Sequence, residues 1–277
     1  LLGKYDIGRV LGEGAYAVVF EARPVGSDTR VALKQISKRG VRRDEILRER
    51  SALKAIHAAG GHENIAGVLD VFEDSAFYFF VLELVSGGEM FEHLTRNGPY
   101  SEATAAGFMR ELAAALRFLH SNKIVHADLK PENLMLSSWD LGESKLKVVD
   151  FGSSRRAGTR VDLSRPAALG TSAYLPPEAI KRAGVASGFG RSSSRSSGRG
   201  RMSSASVKGG DSYRVTPALD MWSVGCILYI MLCGAHPFDL DGSSDEEAVL
   251  RRVRAGKVPL GGLGPGISDS AKDLIAR

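Results

Sequence analysis

Two carboxylates, a lysine and an asparagine stand at a spacing suited to moving a phosphoryl group. They lie in His126-Ala127-Asp128-Leu129-Lys130-Pro131-Glu132-Asn133 and in Asp150-Phe151-Gly152, which begins seventeen residues after Asn133. Phosphoryl transfer asks little covalent work of a protein. It needs metal ions to neutralise the phosphates, a cation to grip them and a carboxylate to orient the attacking hydroxyl. An isolated Asp-Leu-Lys would mean nothing; Asn133 and Asp150 at these distances give it meaning.

The upstream residues supply the rest of a phosphate site. In Leu11-Gly12-Glu13-Gly14-Ala15-Tyr16-Ala17-Val18-Val19 the glycines allow backbone N–H groups to approach phosphates closely. The third position of a G-x-G-x-x-G pattern is Ala17, whose methyl group stiffens the loop without abolishing it. Val31-Ala32-Leu33-Lys34 alternates faces as a strand does. Alone, Lys34 would be a solvated strand lysine; beside these motifs it is expected to be a cation for phosphate. The charged amphipathic stretch Val41–His57 turns Ile46, Leu53 and Ile56 inward and offers Glu45 and Glu49 as partners for that lysine.

Together these segments resemble the eukaryotic protein kinases, from Tyr5 to the last residue. Residues 126–133 match the catalytic loop H-R-D-L-x-x-x-N at every position except Ala127. Arg48-Glu49-Arg50-Ser51-Ala52-Leu53 resembles the R-E-x-x-x-L of the family's third helix, which selects Glu49 and leaves Glu45 a surface charge. The run Val81-Leu82-Glu83-Leu84-Val85-Ser86-Gly87-Gly88-Glu89-Met90-Phe91 is similar to the hinge of the calcium/calmodulin-dependent and related basophilic serine/threonine groups. Gly170-Thr171-Ser172-Ala173-Tyr174-Leu175-Pro176-Pro177-Glu178 is similar to the P+1 loop and A-P-E end of an activation segment, with Pro176 for alanine.

The resemblance implies ATP as substrate and magnesium (Mg2+) as cofactor. Leu11, Gly12 and Gly14 would cover the nucleotide, with Val19 and Ala32 as an apolar roof over the adenine and Met135 as its floor. Leu82 would be the gatekeeper, and backbone groups of Glu83 and Val85 would meet the adenine edge. Lys34, positioned by Glu49, would hold the α- and β-phosphates, while Asn133 and Asp150 would hold the metal ions. Asp128 would orient the substrate hydroxyl, and Lys130 would steady the γ-phosphate in the serine/threonine manner. Thr171, Glu89 and Glu132 would face the protein substrate, the two glutamates meeting arginines just N-terminal to the phosphorylated residue. His126, Phe151, Leu53 and Val68 read as packing residues between lobes, anchored from below by Asp220, which opens the buried helix Asp220-Met221-Trp222-Ser223-Val224-Gly225.

The implied activity is an ATP-dependent serine/threonine kinase with a protein substrate that contains arginine; calmodulin dependence is not legible. A pseudokinase scaffold is the competing reading, supported by Ala127, Ala17 and Pro176, against the presence of every charged residue the chemistry requires. A third is an interaction protein working through an arginine/serine tract. The activation arginine is Ala127 and the usual phosphosite is Ala167, so activity is expected to be independent of phosphate there, with Thr159 and Ser164 left as other modification sites.

The elements that must position these residues follow from the pattern. Alternating strands at 5–11, 18–23, 30–36, 68–72 and 77–82 make a β-rich N-lobe with one main helix, residues 1–84. A mostly helical C-lobe follows over 85–277, giving an α+β bilobal fold with ATP in the cleft between lobes. Ser101 caps a helix carrying Ala105, Phe108, Met109, Leu112, Leu116 and Leu119, and a short strand at 145–149 presents Asp150. Ser268 starts a last helix with Ala271, Leu274 and Ile275 inward, and the domain reads as truncated there, with Glu178 left as a buried acid lacking its arginine.

Across 277 residues, 43% hydrophobic content is ample for a core. The Ser/Arg/Gly-rich stretch 183–212 cannot bury apolar surface and reads as a disordered insert. Residues 181–214 hold eight basic residues against Asp211, a net of +7, whereas the chain totals +5 and the remainder about −2. The basic balance therefore belongs to the insert and argues against a nucleic-acid-binding fold. Ser194 and Ser204 each follow an arginine by three residues, the pattern inferred for substrates. Cys226 and Cys233 read as buried free thiols, and with no signal-peptide or membrane-spanning pattern the expected setting is cytoplasmic or nuclear.

Overall fold

The computed structural model describes residues 3–14, 17–163, 169–182 and 212–277. Five strands, β1 (Tyr5–Glu13), β2 (Ala17–Pro24), β3 (Val31–Ser37), β4 (Val68–Glu73) and β5 (Phe77–Glu83), form an antiparallel sheet in the order β1-β2-β3-β5-β4. On one face Val31 and Leu33 of β3 pack with Ala22, Phe79 and Val81. Strand alternation then turns Ala32 and Lys34 to the other face, toward the cleft. Helix α1 (Arg43–Ala58) buries Ile46, Glu49, Ala52, Leu53 and Ile56 along a single stripe, so its one buried acid looks into the molecule.

The C-lobe is helical. Its members are α2 (Met90–Asn97), α3 (Glu102–Ser121), α4 (Pro177–Arg182), α5 (Ala218–Cys233), α6 (Glu246–Ala255) and α7 (Asp269–Ala276). Ser101 caps α3 as expected, accepting the Thr104 N–H. Three two-stranded ladders fold the segments between helices. They pair β6 (Ile124–Val125) with β9 (Arg155–Arg156), β7 (Leu134–Leu136) with β8 (Leu146–Val148), and β10 (Arg160–Asp162) with β11 (Ser212–Arg214). Helix α5 is apolar on all sides and nearly enveloped, and Gly234 ends it in the left-handed conformation at φ +80°. No helix among the described residues is long and apolar enough to cross a membrane.

Several expectations need correction. Ser212, assigned to a disordered insert, begins β11, where backbone pairing to Asp162 and burial of Tyr213 order the chain; residues 183–211, Ala167 and Ser164 lie outside the described residues. Glu178 is exposed in the first turn of α4, so water solvates its charge and no buried-ion penalty arises. Leu274 is 61% exposed because the inward stripe of α7 runs through Ala271 and Ile275, one turn apart. Cys226 is buried, but Cys233 is half-buried and directs its thiol to Gly262 O; both are free.

Candidate active site

The loop carrying Asp128 is built on Asp220. That carboxylate, fully buried at the start of α5, accepts the N–H groups of His126 (3.0 Å) and Ala127 (2.9 Å) and lies 2.8 Å from His120 Nε2. Ala127 sits at φ +64°, a left-handed conformation costing about 1–2 kcal/mol for a residue with a Cβ. Charge-assisted bonds from two successive N–H groups offset it. The Ala127 methyl is packed among Val125, Leu169, Ala179, Tyr213, Val215 and Leu219. The His126 ring packs on Phe151 at 5.1 Å, and Phe151 shares a core cluster with Leu53 and Val68.

From that base the loop presents its chemistry. Asp128 Oδ1 accepts both the Thr171 N–H (2.7 Å) and the Thr171 hydroxyl (2.8 Å). Lys130 Nζ donates to the same hydroxyl at 2.9 Å and stands 3.6 Å from Asp128 Oδ2. The neighbouring Gly170 has no room for a side chain, since a Cβ there would fall 2.5 Å from Ala127 O and from Asp128 Oδ1. Asn133 is buried and donates its Nδ2 to Asp128 O at 2.7 Å, which leaves its side-chain oxygen as the acceptor for a cation.

Lys34 joins the lobes. Its Nζ lies 2.6 Å from Glu49 Oε1 and 2.9 Å from Asp150 Oδ1. Burial alone would lower the lysine's pKa, but the charges of Glu49 and Asp150 outweigh it and hold the ammonium well above its ordinary range. Burial pushes the Glu49 carboxyl up, and Lys34 pulls the other way. The charge of Lys34 holds the Asp150 carboxyl down at about 2. Asp150 leaves β8 at φ +61°, and its Oδ1 also accepts the Gly152 N–H at 3.3 Å. A cation held between two carboxylates at these separations suits phosphate and a hard divalent metal.

The surfaces expected to face a nucleotide come from both lobes. The β1–β2 hairpin pairs Gly12 with Val19, and Gly14 N–H donates to Ala17 O at 2.8 Å; Ala15 and Tyr16 lie outside the described residues. A Cβ on Gly12 would meet nothing within 4 Å, so this rim borders open space. Half-buried Ala32 and Leu82 sit opposite each other on β3 and β5. Beyond Glu83 the chain passes Val85, and Gly87 N–H donates to Leu136 O at 2.8 Å, setting the hinge against β7 and Met135. Leu11 stays partly exposed at the mouth. Glu89 begins α2 without using its side chain as a cap; partial burial raises its carboxyl pKa, and the charges of Glu132 and Glu92 add to that. The two glutamates expected to face substrate are therefore brought together. A separate cavity of about 590 Å³ lies between α1, β6 and β9, lined by Leu47, Arg48, Ile124 and Arg155 and holding none of these site residues.

Sequence reasoning missed four supports: His120 on Asp220, Gly170 under Asp128, Glu111 holding Leu146 N–H, and Lys147, whose ammonium lies 2.5 Å from Glu83 Oε1. The local signal for Lys147 was a polar residue between two apolar ones in β8, a pattern shared by any strand lysine.

Comparison with known proteins agrees with this geometry. The protein kinase domain profile matches residues 5–190. The serine/threonine-protein kinase PKZ1 of Phytophthora infestans is 36% identical over 245 residues, covering 83% of this chain and 53% of that protein. Calcium-dependent protein kinase 19 of Arabidopsis thaliana is 32% identical over 281 residues, with 98% and 43% covered. Calcium/calmodulin-dependent protein kinase type I of Schizosaccharomyces pombe is 33% identical over 277 residues, with 99% and 72% covered. The chain belongs to the protein kinase family, and the first of these relatives is by name a serine/threonine kinase. It spans about half the length of the first two relatives named.

Proposed function

We propose that this domain transfers the γ-phosphate of MgATP to serine or threonine hydroxyls in proteins with arginine upstream of the acceptor. The observation that carries this reading is the bridge from Lys34 to Glu49 and Asp150 at 2.6 and 2.9 Å, which joins the phosphate grip to the metal carboxylate. Lobes divided at residues 84 and 85 would enclose the nucleotide. Leu11, Gly12, Gly14, Val19, Ala32 and Met135 bound the adenine and phosphates, and the backbone of Glu83 and Val85 meets the adenine edge. Asp128 takes the acceptor hydroxyl's hydrogen bond and orients the oxygen in line with the γ-phosphorus; Lys130 offsets charge on the transferring group. Asn133 and Asp150 would hold magnesium, which would supply positive charge to the phosphate oxygens.

In this structure the Asp128 oxygen that would accept the substrate hydroxyl is bonded to the Thr171 hydroxyl, a group of the same chemistry. Thr171 thus supports the assignment of both residues to the substrate side. Glu89 and Glu132 supply paired negative charge for a guanidinium. An intracellular setting fits ATP as substrate and two unpaired thiols.

The test is turnover of MgATP on arginine-containing serine, threonine and tyrosine peptides, beside ATP binding. The wild type should phosphorylate serine or threonine. Asp128→Asn should lower kcat by about 10²–10⁴ while ATP binding holds. Binding without turnover in the wild type would replace this reading with the scaffold one.

A further inference from the structure

Glu83 closes β5 and makes a reciprocal pair with Gly67. Its backbone N–H donates to Gly67 O at 2.8 Å, and its Oε2 accepts the Gly67 N–H at 3.1 Å. Its other oxygen, Oε1, lies 2.5 Å from Lys147 Nζ. Lys147 is the middle residue of β8, opposite Met135 in the ladder and three residues before Asp150. One carboxylate therefore ties together the start of the hinge, the turn before β4 and the strand that delivers Asp150. Backbone bonds hold β8 to the same turn, from Ala66 N–H to Val148 O (3.0 Å) and from Val148 N–H to Asn64 O (2.9 Å).

We propose that Lys147 is a positioning residue that, through Glu83, fixes the adenine edge of the cleft relative to the strand carrying Asp150. The inference rests on the reading of this cleft as an ATP site. With its carboxylate held from two sides, by the Gly67 N–H and by Lys147, Glu83 is restrained although its side chain is 37% exposed, and its backbone at the adenine edge is held with it. Because β8 holds the other end of the bridge, base and phosphates are anchored to the same strand.

Two other ion pairs show why this one fits the task. Lys34–Asp150 also crosses the cleft, but both partners must be shared with phosphate and metal once nucleotide enters. Lys145–Glu63 is exposed on both sides, at 55% and 65%, and is screened by water. The Lys147–Glu83 pair is less exposed, at 14% and 37%, and touches neither phosphate nor metal in the proposed arrangement. The bridge therefore persists through the nucleotide cycle while Lys34 exchanges partners. A charge-assisted bond of this kind restricts Glu83 in the free protein, so less ordering remains to be done when adenine binds.

The experiment compares wild type, Lys147→Met, Lys147→Arg, Glu83→Lys and the swapped double variant Glu83→Lys/Lys147→Glu. Adenosine and inorganic tripolyphosphate are titrated separately, and KM for ATP, kcat and melting temperature are measured. Lys147→Met should weaken adenosine binding and raise KM for ATP by about tenfold, the loss of one hydrogen bond to a charged group. It should leave tripolyphosphate binding unchanged and kcat within about twofold. Lys147→Arg should behave as wild type, and the swapped double should recover only part of what Glu83→Lys loses, since a lysine at 83 restores the ion pair but cannot accept the Gly67 N–H. Wild-type adenosine affinity in Lys147→Met, a swap no better than its parents, or parallel loss of adenosine, tripolyphosphate and melting temperature would each overturn the proposal. A wild-type protein that binds no adenosine would instead overturn the ATP-site reading beneath it.

Discussion

The carboxylate of Asp220 holds Ala127 in a left-handed conformation through a 2.9 Å hydrogen bond from its backbone N–H, and Asp128 is the next residue along the chain. The aim of the proposed catalytic carboxylate is thus set from inside α5. Asp220→Ala should orphan the His126 and Ala127 N–H groups and destabilise the fold by about 1–3 kcal/mol for each. The denaturation midpoint should fall, with kcat reduced in the surviving folded protein. An unchanged midpoint would show that the loop holds its shape without α5.

Restoring arginine at position 127 should not restore a phosphate switch. Ala127 is fully buried in a cluster with Val125, Leu169, Tyr213, Val215 and Leu219, so a long charged side chain would have to displace packed apolar neighbours. Ala127→Arg should cost about 1–3 kcal/mol by overpacking, more for the buried charge, and leave activity insensitive to phosphatase. A stable, phosphatase-sensitive variant would contradict this packing.

Gly170→Ala is a one-methyl test of the substrate side. The added Cβ would fall 2.5 Å from Asp128 Oδ1 and Ala127 O, so Asp128 or the Thr171 segment must move. A displacement near 1 Å should lower kcat by about 10²-fold, with ATP affinity little changed. Wild-type kcat would place the acceptor hydroxyl elsewhere.

Lys34→Met should be visible in the titration of Asp150. The Lys34 charge holds this carboxyl at about 2, below its ordinary 3.8. A depressed folded-state pKa contributes stability that is present above 3.8 and lost as pH falls through about 2. Without Lys34 the Asp150 carboxyl resonance should titrate closer to 3.8, and that contribution should shrink. A value still near 2 in the variant would assign the effect to the Gly152 N–H instead.

Glu89→Gln and Glu132→Gln should each raise KM for a peptide with arginine three residues before serine, by about fivefold at low salt. An alanine-substituted peptide should not distinguish the variants from wild type. Equal KM for both peptides in the wild type would remove the basophilic reading.

Much of this molecule was legible because it rests on local rules. The five sheet strands are short β-branched and aromatic runs with β3 clearly alternating, Ser101 announces α3, and Glu49 lies on the buried stripe of α1 with Leu53. The Asp128, Asn133 and Asp150 motif is compact in sequence and compact in space. What could not be read depends on distant partners. Lys147 meets Glu83 across 64 positions and Gly170 meets Asp128 across 42, and neither spacing leaves a periodic trace. Composition also misplaced the edge of the arginine/serine stretch, since Ser212 looks like its neighbours yet pairs with Asp162. Leu274 failed because helical spacing alone does not say where a buried stripe ends, and Glu178 because its burial was carried over from the family resemblance and not read from its own neighbours.

The β10–β11 ladder has a consequence for how this chain tolerates change. Helix α4 packs on α6 and β11, while β11 is pinned to β10 by Asp162–Ser212, Val161–Tyr213 and Arg160–Arg214. Both anchors of the stretch from 183 to 211 are therefore held by contacts that do not involve it. Closing such a stretch costs only about 0.6 kcal/mol more for each doubling of its length. Segments of quite different size could be spliced between these anchors while α5, Asp220 and the loop it supports keep their register, which makes this the natural port for grafting a reporter or a docking peptide.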